Sequence, residues 1–367
     1  LADSARAELA KLQGGDPANV ALWQLFIDSS RHAFDAVYDR LGVVFDVTHG
    51  ESFYNDALQP LIDEMLERGI AQMDQGAAVV YFRDADGEDT MTPFLIRKKD
   101  GAALYATTDL ATVRYRVATW HPSRIIYVTD MRQQLHFQQL FATARLMGVQ
   151  DVQLDHFWFG MMSLPEGSFS TRKGNVIRLD ELLDEAESRA RALLAERGVE
   201  GLDEAGLDAL ATTLGLGAVK YADLSNNPQT NVVFSFDRML SFEGNTAPYL
   251  QYTSARTASL QRRAAERGLE ADGRTLKLVE DVERDLLLHA FGFGAAVQSA
   301  WDQGRPNFLA TFLYELATRY HRWYAACPVL KEEDAALVAS RLNLNLLAQR
   351  VLVQGLELLG IGAPDRM

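Results

Sequence analysis

From Leu207 to the C terminus the apolar residues recur only at helical spacing, and this limits the second half of the chain to one kind of architecture. Four segments carry the pattern: "APYLQYTSARTASLQRRAAER", "KLVEDVERDLLLHAFGFGAAVQSAW", "PNFLATFLYELATRYHRWYAA" and "EEDAALVASRLNLNLLAQRVLVQGLELLG". Helices of this length with one apolar stripe each are stable when the stripes face one another, so they predict a bundle of four long helices. The preceding residues read differently. "RIIYVTD" (124–130) has the profile of a buried strand, "QQLHFQQLFATARLMG" of a helix and "VQLDHFWFGMM" of a strand. "NVIRL" follows as a short strand leading into the helix "DELLDEAESRARALLAER". Alternation of this kind predicts a parallel sheet with its ligand site at the carboxyl ends of the strands. The turn-rich "SNNPQTN" (225–231) marks the change of regime.

Upstream, "DPANVALWQLFIDSSRHAFDAVYDRLG" reads as a long helix with Asp16 as cap, Pro17 in the first position and Gly42 as terminator. An apolar "VVFDV" suggests a strand, and a further helix runs to about Gly69. The runs "AAVVYF", "TPFLI" and "AALYA", separated by "RDADGED" and "RKKDG", predict a β-meander between Ala77 and Ala106.

A chain of 367 residues suits two domains, and 48% hydrophobic residues can fill both cores. The formal charge of −14 argues against a protein that coats nucleic acid non-specifically, but leaves room for a local basic seat. One cysteine, Cys327, makes neither an internal disulfide nor a cysteine-based zinc site, which fits a reducing compartment such as the cytoplasm. No apolar run reaches the ~18 residues of a membrane span. The chain begins without Met, which suggests a fragment of a longer protein.

Three stretches could carry chemistry. In "ALYATTDLATVRYR", Tyr105 is expected at the end of a strand and Asp109 in the first turn of a helix, where the dipole favours a carboxylate. The pair suits a small cation; the alternative is a capping Thr-Thr-Asp with Tyr105 simply packed. In "VTDMRQQLHFQQ", Gln133, Gln134 and His136 open the next helix. Glutamines can hold an amino acid's polar ends or a ribose, whereas His136 alone reads rather as a surface or packing histidine. Between Gly167 and Leu179 no acidic residue occurs, while Arg172, Lys173 and Arg178 are basic. Flanked by Gly167 and Gly174 and rich in hydroxyls (Ser168, Ser170, Thr171), this stretch could close over a polyphosphate or be a solvated turn. It is not a P-loop.

Taken in order, the chain resembles the class I arginyl-tRNA synthetase family. The resemblance rests on "KKDGAALYATTDLATVRYR", "DMRQQLHFQQLFATA", "HFWFGMM", "FSTRKGNVIRLDELLDEA", "SFEGNTAPYLQYTSAR" and "LGIGAPDRM", and extends over nearly the whole sequence. It implies an α/β fold, with part of a Rossmann-like parallel sheet followed by an all-α anticodon-binding bundle. The divisions expected are 1–180 (catalytic), 181–235 (helical connection) and 236–367 (anticodon-binding). It implies arginine–tRNA ligase activity, with L-arginine, ATP carrying Mg²⁺ and tRNA(Arg) as substrates, in a cytoplasmic monomer with no membrane association. In the family pattern Tyr105 and Asp109 match the pocket for the arginine side chain and Gln133 the contact to its α-amino group. His136 is carried over as a possible ribose contact. His156, Gly160, Met161 and Met162 match the adenine side, and Ser170, Thr171, Arg172, Lys173 and Gly174 the loop that clamps the phosphates, with Arg172 and Lys173 in the catalytic role. Asn245, Tyr249, Tyr252, Arg256, Tyr320, Trp323, Tyr324 and Met367 fall at anticodon-reading positions, with about half of the aromatics expected to be core.

The family's His-x-Gly-His motif is absent: none of the seven histidines has that context. Alongside the ligase reading, two others remain from the residues alone: a truncated, non-catalytic relative that binds tRNA or a protein partner, and a generic nucleotide-binding α/β protein with an appended bundle.

Overall fold

The computed structural model describes residues 2–164, 167–168, 178–199 and 201–367. Contacts divide the chain into two units. One comprises Leu1–Phe45, Leu164–Ser225 and Phe234–Met367, the other Asp46–Ser163 and Asn226–Val233.

The chain starts with α1 (Ala2–Gln13) and α2 (Pro17–Leu41). The limits of α2 follow from local chemistry. Asp16 accepts the N–H groups of Ala18 and Asn19 (both 3.1 Å), Pro17 pre-sets the first turn, and Gly42 at φ 63° closes the last. "VVFDV" does not form the expected strand, and Val44 is 90% exposed.

The smaller unit holds α3 (Asn55–Glu67), β1 (Gln72–Asp74), β2 (Ala77–Arg83), β3 (Asp89–Arg97), α4 (Tyr105–Trp120), β4 (Arg124–Asp130), α5 (Gln134–Leu146), β5 (Gln153–Phe159) and β6 (Met162–Leu164, its last residue counted with the other unit). The meander is present but shifted: β1, β2 and β3 form it, with β2 central and antiparallel to both. "AALYA" is not its third strand. It makes only one bridge, Arg97 to Ala103, and Tyr105 already starts α4. Strands β4 and β5 pair in parallel over seven residues, from Arg124↔Gln153 to Asp130↔Phe159, with α5 as the crossover. The expected strand through Met162 is broken after Phe159. Gly160 donates to Pro228 O (2.8 Å) instead, and β6 pairs in parallel with Val232–Val233. A Cβ at Gly160 would lie 2.6 Å from Thr230 O, so only glycine fits this crossing. The core joins Leu61, Ile62 and Met65 of α3 to Val80 and Ile96 of the meander, and to Leu110 and Leu140 of α4 and α5.

The larger unit continues with α6 (Leu179–Arg197), α7 (Glu204–Leu224), α8 (Phe236–Met239), α9 (Ala247–Ala265), α10 (Asp281–Phe291), α11 (Phe293–Gln303), α12 (Asn307–Ala326) and α13 (Ala335–Leu358). The segment read as one helix from Lys277 to Trp301 is two, interrupted at Gly292, whose N–H turns back to His289 O (2.9 Å). Of "NVIRL", residues 175–177 lie outside the described residues, and Leu179 already belongs to α6. One core runs through α7, α9, α10, α12 and α13, built around Leu250, Leu313, Leu342, Leu356 and the fully buried Trp323. No helix among the described residues is long and apolar enough to cross a membrane.

Candidate functional site

The first cluster lies in the smaller unit, where α4 and α5 begin. Tyr105 is the first residue of α4, not the last of a strand, and Leu104 stands at the cap position. Thr107 lies inside the helix rather than at its cap: its hydroxyl donates to Ile96 O and accepts weakly from Leu104 N (3.5 Å), pinning the start of α4 to β3. Asp109 therefore falls one turn after Tyr105. Residues i and i+4 share a helix face, so carboxylate and phenol are neighbours. Tyr105 is 70% exposed, while Asp109 is only half-buried.

Asp109 has a partner that the sequence did not reveal. Its Oδ2 lies 2.6 Å from Nε2 of His136, in the first turn of α5. An ionised carboxylate only accepts, so Nε2 carries the proton. Nε2 of His136 is thus engaged with Asp109, and among the described residues no hydrogen bond reaches the carboxylate's other oxygen. His136 is fixed by edge contacts with Phe94 (5.5 Å) and Phe137 (5.3 Å). Gln133 is exposed at the start of α5, behind a turn in which Asp130 accepts from Arg132 N (2.8 Å) and Nε (2.7 Å).

His156, on β5, is stacked on Phe137 (4.3 Å between centroids), with Nε2 2.8 Å from Thr129 Oγ1. Burial, and then the neighbouring His136, lower its pKa below the ordinary histidine value. Gly160, Met161 and Met162 form the exit from β5: Met161 N donates to Asn231 Oδ1 (2.9 Å), and Val232 N to Met161 O (3.0 Å). Ser170, Thr171, Arg172, Lys173 and Gly174 lie outside the described residues.

The second cluster lies in the larger unit. A groove of about 560 Å³ is lined by Tyr252, Arg256, Arg262 and Arg263 of α9, by Tyr324 of α12, and by Arg366 and Met367 at the C terminus. Four arginines against one acidic side chain, Glu266, make it a basic seat in an acidic chain. The guanidinium of Arg256 stacks 4.8 Å from the centre of Tyr252 and 5.3 Å from that of Tyr324. Sequence reasoning missed Arg262, Arg263 and Arg366. Arg263 could have been found, because positions 252, 256, 259 and 263 follow one helical stripe.

Two expected base-stacking residues are corrected. Tyr320 is 1% exposed with its hydroxyl on Asn345 Oδ1 (2.7 Å), and Trp323 is wholly buried. Neither ring has a face free for a base, because both project from α12 into the helical core. Asn245 is exposed and accepts from the Tyr221 hydroxyl (2.6 Å); Tyr249 is half-buried against Tyr314 and His321. Both stand outside the groove lining.

The chain thus joins a short parallel strand pair and its crossover helix α5 to a set of helices that carry an arginine- and tyrosine-lined groove. Residues 1–236 match the family described as tRNA synthetases class I (R), catalytic domain, and residues 250–367 match the DALR anticodon binding domain. The chain belongs to the arginyl-tRNA synthetase family. It is 43% identical over its whole length to an arginine–tRNA ligase of Fusobacterium nucleatum and 44% identical to one of Alcanivorax borkumensis, and spans 64% of the length of each. Among solved structures, arginyl-tRNA synthetase of Plasmodium falciparum superposes with a TM-score of 0.84 at 26% identity, covering 98% of this chain and 61% of that one. The Thermus thermophilus enzyme does so at 0.80 and 25%, covering 97% and 68%. A methionyl-tRNA synthetase of Mycobacterium tuberculosis shares the fold (TM-score 0.61, 13% identity, covering 95% and 80%).

Proposed function

We propose that the chain supplies the arginine-binding and anticodon-binding parts of an arginine–tRNA ligase. The observation that carries this reading is the exposed Tyr105 one helical turn from Asp109, whose carboxylate is steadied by His136. A planar guanidinium can take a carboxylate and a phenolic oxygen together, a geometry that a lysine ammonium does not share. A neutral amino acid would offer no cation to the second oxygen of Asp109, so discrimination needs no editing step. Gln133 holds the α-amino group.

In the first half-reaction the carboxylate of arginine attacks the α-phosphorus of ATP, the bond to the bridging oxygen breaks, and pyrophosphate leaves. Arg172 and Lys173 stabilise the charge that builds on the phosphates, and Mg²⁺ enters with ATP as part of the substrate. His156 and the backbone at Gly160, Met161 and Met162 face the adenine side. In the second, a hydroxyl of the terminal tRNA ribose attacks the arginyl carbonyl and AMP departs. Tyr252, Arg256, Tyr324 and Met367 read the anticodon loop, with Arg262, Arg263 and Arg366 holding its phosphates. The divisions at 180 and 235, a monomeric state and a cytoplasmic location belong to the same reading.

Calorimetric titration with arginine and with citrulline, its uncharged isostere, tests the pocket. Arginine should bind and citrulline should not, and Asp109→Asn should weaken arginine about 30-fold or more, the loss of a charge-assisted pair. Equal binding of both compounds, or undiminished binding by the variant, removes the assignment. Arginine-dependent ATP–pyrophosphate exchange, with and without tRNA, then separates a ligase from a relative that only binds RNA.

A further inference from the structure

Arg256 is held in the groove by a chain of hydrogen bonds that fixes the protonation of His321. One guanidinium nitrogen donates to Nδ1 of His321 on α12 (2.8 Å) and another to the Tyr252 hydroxyl (2.6 Å). Nε2 of His321 lies 2.9 Å from Thr253 Oγ1, and the Thr253 hydroxyl donates in turn to Tyr249 O (2.8 Å). A guanidinium has no acceptor, so Nδ1 must hold a lone pair. With Thr253's own proton committed to the carbonyl, Nε2 must carry the imidazole proton and donate it. The ring is therefore neutral and in a single tautomer. Burial, reinforced by the charge of Arg256, agrees with this by holding His321 down to about 4.

We propose that His321 is the positioning residue of the RNA-binding groove: a neutral acceptor that clamps Arg256 between the Tyr252 and Tyr324 rings, so that its remaining N–H donors are presented to a nucleotide. This rests on the reading of the groove as the anticodon seat. His321 itself is not among the groove-lining residues; it acts through Arg256. Without the clamp Arg256 keeps the Tyr252 hydroxyl and its stacking on the two rings but loses the acceptor that fixes its guanidinium, and the entropy of ordering a long side chain must be met when RNA binds.

The test uses the whole chain and a fluorescent anticodon stem–loop RNA of tRNA(Arg), read by anisotropy, with the fold of each variant checked by thermal unfolding. Arg256→Ala and His321→Ala should each weaken binding about tenfold, and in the Arg256→Ala background the second change should add less than about twofold. His321→Asn, whose Oδ1 replaces Nδ1, should bind within about threefold of the parent, while His321→Gln, which reaches only Thr253, should behave like His321→Ala. Parental binding by His321→Ala, equal losses in both backgrounds, or rescue by Gln rather than Asn overturns the clamp and leaves the groove reading standing. No binding by the parent, or an Arg256→Ala variant that binds as the parent does, overturns both.

Discussion

At the residue scale, partners decide what a side chain can do. Asp109 was legible as a carboxylate near a helix start, but its hydrogen bond to His136, 27 residues away, was not. His321 went unremarked because its spacing is that of a core position; its importance comes from Arg256, 65 residues earlier. A pH prediction belongs here. His321 is lowered from the ordinary 6.5 to about 4, so as pH falls the unfolded chain takes up the proton first. The stability it contributes is present above pH ~6.5 and lost as pH falls towards about 4, by at most about 3 kcal/mol. Urea unfolding at intervals from pH 7 to 4.5 should show a steeper decline for the parent than for His321→Asn; identical slopes would contradict a neutral buried ring.

At the element scale, limits set by local chemistry were readable and those set by neighbours were not. Asp16, Pro17 and Gly42 delimit α2 by their own bonds, and the chain need not fold further for them to act. The strand expected at "VVFDV" and the unbroken helix expected from Lys277 were periodicity readings; the first segment is exposed and forms no strand, and the second is broken at Gly292. Close helix contact leads to a prediction at Gly215, where an added Cβ would lie 2.7 Å from Glu187 N and 2.8 Å from Ala186 C. Gly215→Ala must push α6 from α7 and should cost about 1–3 kcal/mol, measured by chemical denaturation; an unchanged midpoint would mean that the two backbones separate freely. The α10–α13 contact gives another. Arg341, 5% exposed, bonds Glu283 Oε1 (2.8 Å) and Glu332 Oε2 (3.0 Å), and Glu283 is itself fully buried. Arg341→Met leaves Glu283 charged without its partner and should lose about 3–5 kcal/mol; restoring most of that loss with Glu283→Gln in the same chain would assign it to the stranded charge.

At the scale of the whole molecule, a net charge of −14 and an arginine-lined groove pull in opposite directions on RNA. Binding should therefore depend on few, local contacts. If three phosphates are neutralised, at about 0.7 in log–log slope for each in single-stranded RNA, raising salt from 50 to 200 mM should weaken stem–loop binding roughly 20-fold. Anisotropy titrations across that range measure the slope, and a value near zero would exclude the arginines as phosphate contacts.

By itself the sequence determined the family, the sequence of α/β alternation and helical bundle, and the ends of helices closed by their own caps, because these depend on residues a few positions apart. It also located Asp109 and Arg256 as candidate charged contacts. Only the tertiary structure decided that Tyr320 and Trp323 are core, that His136 holds Asp109, and that His321 holds Arg256. An aromatic ring or an imidazole has the same periodicity whether it faces a core or a ligand, and its role is settled by the segment packed against it, which is remote in sequence.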